Sequence, residues 1–147
     1  MSYKIDMTSP DVDQQIALLK FYPEIMEKHF KPVVVKDVAT LFSNIHGSIP
    51  KRTGTAISKF KKSVTGKGVN LTGRVGWWGA NQPWYINPVE YGAKAHQEKR
   101  KKSGKTWNHP GFSARGFMAA GYSALKPMID ADMAAASDAV VKEMAVP

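Results

Sequence analysis

The chain has 147 residues, with 21 Lys and Arg against 12 Asp and Glu, no cysteine, and a hydrophobic share of 43%. This suits one globular domain that buries roughly two-thirds of the surface of its unfolded form. It excludes a largely disordered chain, and the lack of Cys excludes disulfides, a thiolate metal site and a cysteine nucleophile. No apolar run reaches the about 20 residues that span a bilayer, and the first residues lack the basic-then-apolar order of a signal peptide. A soluble chain made in the cytoplasm, with no membrane partner, is expected.

Ser9, Pro10 and Asp11 supply a hydroxyl cap, a proline in the first turn and an acid near the positive helix end. They predict a short helix to about residue 21, inside an N-terminal extension over residues 1–22. Pro23 restarts the helical period. Met26, Phe30, Val34, Val38, Leu41 and Ile45 then recur every three or four residues, which predicts a long helix ended by Gly47 and Pro50. Pro32 inside it removes a backbone donor and crowds the preceding turn, so a kink or break is expected there.

After the turn-like residues 50–54 the period changes. Residues 60–65 read as a strand and Gly66-Lys67-Gly68 as a hairpin connection. Val69, Leu71, Gly73, Val75 and Trp77 then alternate with Asn70, Thr72, Arg74 and Gly76, as in a half-buried antiparallel hairpin with one wet face. Trp77, Trp78, Trp84 and Tyr85 form an aromatic group near its end, to be read as core packing and a lid over the sheet end, or as a subunit interface. Residues 87–92 have the order of one helical turn: Asn87 as cap, Pro88 first, Glu90 reaching back, Gly92 at the stop. Residues 109–117 read as a turn and a short extended segment. Tyr122, Leu125, Ile129, Met133, Ala136, Val140 and Met144 predict a long amphipathic C-terminal helix. The expected class is α+β, a small antiparallel sheet packed against a long N-terminal and a long C-terminal helix, in a single domain over residues 1–147.

The excess charge is not evenly spread. Between Lys51 and Arg115 stand 14 basic residues against only Glu90 and Glu98. Lys94, Lys99, Arg100, Lys101, Lys102 and Lys105 form the densest run, followed by Trp107, and residues 93–108 show no apolar period, so a solvated, mobile loop is expected. It serves solubility, or contacts phosphate or an acidic protein face; no base-reading motif accompanies it.

The motifs of reactive chemistry are missing. His29, His46, His96 and His109 lack metal-ligand spacing, and there is no phosphate-binding glycine loop, nucleophile elbow or dinucleotide fingerprint. Glu90 and Glu98 are the only acids in the central region, too few for an obvious acid-base pair. No catalytic residue, metal or cofactor is expected, and the chain reads as a non-enzyme.

Ile49-Pro50, Thr53-Gly54, Ile57, Ser63-Val64, Tyr85, Val89-Glu90-Tyr91-Gly92 and Arg115-Gly116-Phe117-Met118, ahead of a long last helix, together resemble the tail-completion family of tailed bacteriophages, over about residues 23 to 144. The resemblance implies an assembly role. Pro50, Thr53 and Gly54 would set the helix-to-sheet turn, Glu90, Tyr91 and Gly92 the turn before the variable loop, and Phe117 and Met118 the seat of the last helix. Departures are Arg52 where the family often carries an acid, Arg115-Gly116 in place of a proline before Phe117, and Asn87-Pro88 shortening a helix that is often longer. The family pattern implies a homo-oligomeric ring, a hexamer, in the virion tail or neck. That ring joins the connector or stopper to the tail tube, with DNA passing through and possible phosphate contacts. The residue 94–105 loop and the Gly66–Gly68 turn are, by composition, the segments expected to order against a neighbouring ring. A monomer or weak oligomer is expected in isolation, because the net positive charge repels like subunits. The competing class is a nucleic-acid-binding module that stacks bases on Trp77, Trp78, Trp84 and Trp107.

Overall fold

Apolar spacing dictates two long helices, and pairing of the intervening short polar strands dictates the rest. A computed structural model of the chain describes residues 10–51, 54–80, 82–99 and 103–145, with side chains from residue 20 onward. The order is α1 (Pro10–Ser48), α2 (Thr55–Ser58), β1 (Lys61–Thr65), β2 (Thr72–Gly76), α3 (Ile86–Tyr91), β3 (His96–Lys99), β4 (Thr106–His109) and α4 (Phe117–Met144). β1 pairs with β2, and β3 pairs antiparallel with β4, as two separate two-stranded sheets. The class is α+β. Among the described residues no helix is long and apolar enough to cross a membrane.

Three sequence expectations are corrected. The short helix to residue 21 and the long helix from Pro23 are one helix, α1, with Pro23 and Pro32 both inside it. An interior proline costs about 3 kcal/mol, whereas burying Val34, Val38 and Ile45 from the same helix returns about 1.5–3 kcal/mol each. The apolar stripe is therefore of the size needed to offset the two breaks. Val69, expected on the inner face of a strand, is exposed within a 3-10 turn at Gly68–Asn70. Tyr122, expected on the buried stripe of the last helix, is 47% exposed. α4 starts earlier than its apolar period suggests, and its inner positions there are Phe117 and Gly121.

The chain divides into two compact units, Met1–Val38 with Ser63–Arg74 and Met128–Pro147, and Ala39–Lys62 with Val75–Pro127. In the second unit the core is Ile45, Ile49, Ala56, Phe60, Ile86 and Phe117, ringed by Phe42, Val75, Trp77, Tyr85, Val89 and Met118. Phe60 stacks on Phe42 at 5.1 Å between centroids, and Trp77 lies 4.7 Å from Phe60 and edge-on to Phe117 at 6.0 Å. Trp77 also donates its indole N–H to the Ala56 carbonyl at 2.7 Å, so its polar edge is satisfied inside the unit. Gly121 lets α4 approach α1: a Cβ there would stand 2.5 Å from Ile45 Cγ1, closer than packing permits.

In the first unit the turn between β1 and β2 is held by α1. The Gly68 N–H donates to Glu27 Oε2 at 3.1 Å, and a Cβ on Gly68 would meet Pro23 Cβ at 2.9 Å. A Cβ on Gly73 would collide with Val38. Lys28 and His29 of α1 both bond the Glu143 carboxylate of α4, at 2.8 and 2.5 Å. Such exposed pairs orient the helices more than they stabilise them.

Asp37 is different. It is buried, and neither carboxylate oxygen has a donor among the described residues. Burial first, and then the Asp132 carboxylate, push its acid above the ordinary aspartate range. The Asp132 carboxyl is instead drawn below that range, chiefly by the Lys36 ammonium 2.6 Å away. A folded-state value raised above the unfolded one means that this site loses stability as pH rises from the ordinary aspartate range through the raised value. Asp37→Asn, which keeps a donor without charge, should therefore be more stable than the parent at about pH 8 by about 1–3 kcal/mol. That gain should vanish below about pH 4. Thermal unfolding across pH measures it, and a pH-independent difference would contradict the assignment.

Candidate interaction surface

α4 begins at a residue that cannot cap it. The Gly116 carbonyl accepts the first helical bond, from Ala120 N–H at 2.8 Å, but glycine has no side chain to meet the next free donors. Glu90 meets them from α3. Its Oε2 accepts from Met118 N–H and its Oε1 from Ala119 N–H, both at 3.1 Å, and the residue is only 6% exposed. The backbone reinforces the same junction: Arg115 N–H donates to the Val89 carbonyl at 3.0 Å and Gly116 N–H to the Glu90 carbonyl at 3.1 Å. α4 has no acid in its first turn, so Glu90 is also the negative charge at its positive end.

This corrects the expectation that Glu90 reaches back to its own helix. The cap expected at Asn87 is corrected as well: α3 starts at Ile86, preceded by Tyr85 with no side-chain cap bond. Pro88 then falls at the third helical position, whose N–H has no intrahelical partner in any case. Gly92 ends the helix at φ 81°, and a Cβ there would stand 2.8 Å from the Ala114 amide nitrogen, so this turn needs glycine for both conformation and space.

The other singled-out residues distribute as follows. Gly54, at φ 71°, starts α2 by accepting from Ser58 N–H at 2.9 Å. Phe117 is buried in the core and Met118 packs against it, whereas Tyr91 is exposed. Thr53, Arg100, Lys101 and Lys102, and Arg52 beside them, lie outside the described residues. The aromatic group does not hold together: Trp77 joins the core, Trp78 sits under the Lys61 ammonium at 5.9 Å, and Trp84 is 85% exposed, edge-on to Tyr85.

Within residues 93–108, expected to be a solvated, mobile loop, the described residues pair as two strands. Their register pairs His96 with His109, Gln97 with Asn108, Glu98 with Trp107 and Lys99 with Thr106. Paired residues share a face, so His96, Glu98, Trp107 and His109 lie on one side and Gln97, Lys99, Thr106 and Asn108 on the other. The ring side holds together by contact: His96 stacks on His109 at 5.0 Å, and His109 meets Trp107 and Phe112 edge-on. Phe112 continues the pairing through a two-way bridge with Ala93. The Lys94 carbonyl first, and then Glu98, raise the His96 imidazole above its ordinary range, since both ring nitrogens donate most favourably when protonated. Lys94, Lys99 and Lys105 are exposed around it. The signal in the sequence was the two-residue alternation of His96 and Glu98, mirrored by Trp107 and His109 across the turn at Gly104, a pattern of rings rather than of aliphatics.

Next to the Glu90 junction lies an open cleft of about 730 Å³. Ala56, Ile86 and Val89 give it apolar walls, Trp84 and Phe112 expose rings along it, and Lys51 and Arg115 supply its charge. No sequence pattern marked this cleft, because its walls come from three separated segments. The Tyr85 hydroxyl, on a residue that also lines the cleft, is buried with no partner among the described residues. Among those residues no group of three His, Asp or Glu side chains converges as a metal site.

Comparison with family models, with curated proteins and with solved structures finds no match for the chain.

The junction makes a direct prediction. Glu90→Ala should leave two helix N–H groups without their acceptor and lower stability by about 1–3 kcal/mol, while Glu90→Gln, which keeps one acceptor oxygen, should lose about half as much. Urea unfolding of the three proteins measures this, and an unchanged midpoint for Glu90→Ala would contradict the capping role.

Proposed function

We propose that the chain is a structural virion protein of a tailed bacteriophage, a tail-completion subunit that joins head and tail as part of a homo-oligomeric ring, hexameric in the particle, at the proximal end of the tail. It works by contact and is not an enzyme. Its neighbours are the connector or stopper on one side and the tail tube on the other.

The observation that carries the proposal is the Glu90 junction. Of the residues on which the tail-completion resemblance rests, Glu90 and Gly92 belong to one segment and Phe117 and Met118 to another, yet Glu90 bonds the Met118 amide directly. Glu90, Gly116, Phe117 and Met118 of the resemblance thus share one mechanical job, fixing the start of α4. A rigid joint carrying an exposed basic hairpin suits a part that must dock on neighbours within an assembly. Lys94, Lys99 and Lys105 can also meet phosphates of DNA threading such a ring.

The competing proposal, a nucleic-acid-binding module, draws on exposed Trp84 and Trp107 beside lysines. Particle phenotype separates the two. A phage lacking this protein should accumulate filled heads and separate tails, seen by electron microscopy of lysates, and complementation should restore joining. Normal infectious particles made without it would overturn the proposal.

A further inference from the structure

We infer that the cleft beside α3 is a docking site for an acidic peptide segment of a neighbouring protein chain, with one aliphatic or aromatic side chain of that segment filling the cleft and flanking carboxylates meeting Lys51 and Arg115. The inference deepens the assembly proposal and rests on it only for the source of the segment, a neighbour in the virion.

The shape supplies the first reason. A cleft of about 730 Å³ falls within the roughly 300–1,000 Å³ of ordinary binding pockets, and its walls at Ile86 and Ala56 belong to the buried core, so they are rigid before anything binds. Trp84 stands exposed over its large apolar surface at the same place, which is how interface anchors look before their partner covers them. Concave apolar walls with a ring at the edge fit an inserted side chain better than a flat stacked base.

Charge selects the partner. None of the lining residues is acidic, while Lys51 and Arg115 are both exposed. Within the unit that holds the cleft the only acids are Glu90 and Glu98. Glu90 is committed to α4 and Glu98 to His96, so neither offers a counter-charge to the cleft. The complement must come from outside. A second copy is a poorer source, because it carries the same net charge of +9 and its Glu27, Asp132 and Glu143 are already bound by Lys31, Lys36 and Lys28, which leaves, among the described side chains, exposed Glu24 and Asp138 as single acids rather than an acidic stretch. A nucleic acid is a poor occupant too: two cations flanking an apolar pit do not form the row that a phosphate backbone needs, and the lysines of the hairpin suit it better.

The test is a selection of random dodecapeptides by messenger-RNA display on the immobilised full chain, followed by fluorescence anisotropy of a selected peptide. Selected sequences should carry Asp or Glu on both sides of a Leu, Ile, Phe or Trp. Binding should weaken with salt and fall by about tenfold or more in the Lys51→Glu/Arg115→Glu double variant and in Trp84→Ala. Lys99→Glu on the hairpin should leave it unchanged. All the substituted side chains are exposed, and circular dichroism with thermal unfolding checks that each variant folds.

Four results would overturn the inference: no peptide recovered, peptides without acidic enrichment, equal binding by the double variant, or a single-stranded oligonucleotide occupying the cleft in place of peptide. Self-association of the chain that is lost in the double variant would also overturn it, in favour of a second copy. The selection reads the cleft in the purified protein, so its failure leaves the head-to-tail joining result standing, and normal particles without the protein leave the peptide result standing.

Discussion

A buried carboxylate bonded to two backbone amides is the interaction on which the second unit depends. Glu90 donates no apolar surface and would be costly to bury alone. It is tolerated because the first turn of α4 presents unpaired N–H groups, and because Gly116 leaves the place of a capping side chain empty. Each half satisfies the other. Once that junction is made, Phe117 is delivered into the core against Trp77, and one turn later Gly121 meets Ile45 at backbone distance. The same short helix turns Ile86 and Val89 toward the cleft, and the Val89 carbonyl holds the amide of Arg115. One contact therefore fixes the start of the helix, the packing beneath it and a charged residue of the adjoining surface.

The charge pattern has a physical consequence of its own. Apart from Glu90 and Glu98, every acid of the chain falls in the unit built from the two chain ends, where lysines bind several of them. The other unit has few acids to pair with its cations, and among its described residues Trp84, Trp107 and Phe112 are exposed. Cations beside exposed rings discourage association of like copies and favour anionic partners. A part that stays apart until a complementary surface arrives would use such a pattern, which agrees with the proposed place in an assembly.

Some of this was legible in the sequence and some was not, for identifiable reasons. The long helices followed from apolar spacing, which reports burial directly. Their continuity did not: Pro23 and Pro32 look like breaks, and the burial of Val34, Val38 and Ile45 that offsets them is visible only in the fold. Tyr122 matched the helical period but not the interior, because in that turn Phe117 and Gly121 are the positions packed inward, Gly121 against Ile45. The β3–β4 hairpin has no aliphatic alternation to mark it, because it is held by stacked His96 and His109 and by Trp107. Glu90 read naturally as a local capping residue, since its true acceptor role spans 28 residues of chain. The cleft has no local signature at all.

A three-dimensional reconstruction of the head-to-tail junction in intact particles, with this chain traced into the density, is the most direct test of the proposed role. The expected density shows copies of the chain in a ring at that junction, with Trp84 covered by an acidic stretch of an adjoining chain. Particles without the chain at that level, or copies whose cleft faces open solvent, would contradict it.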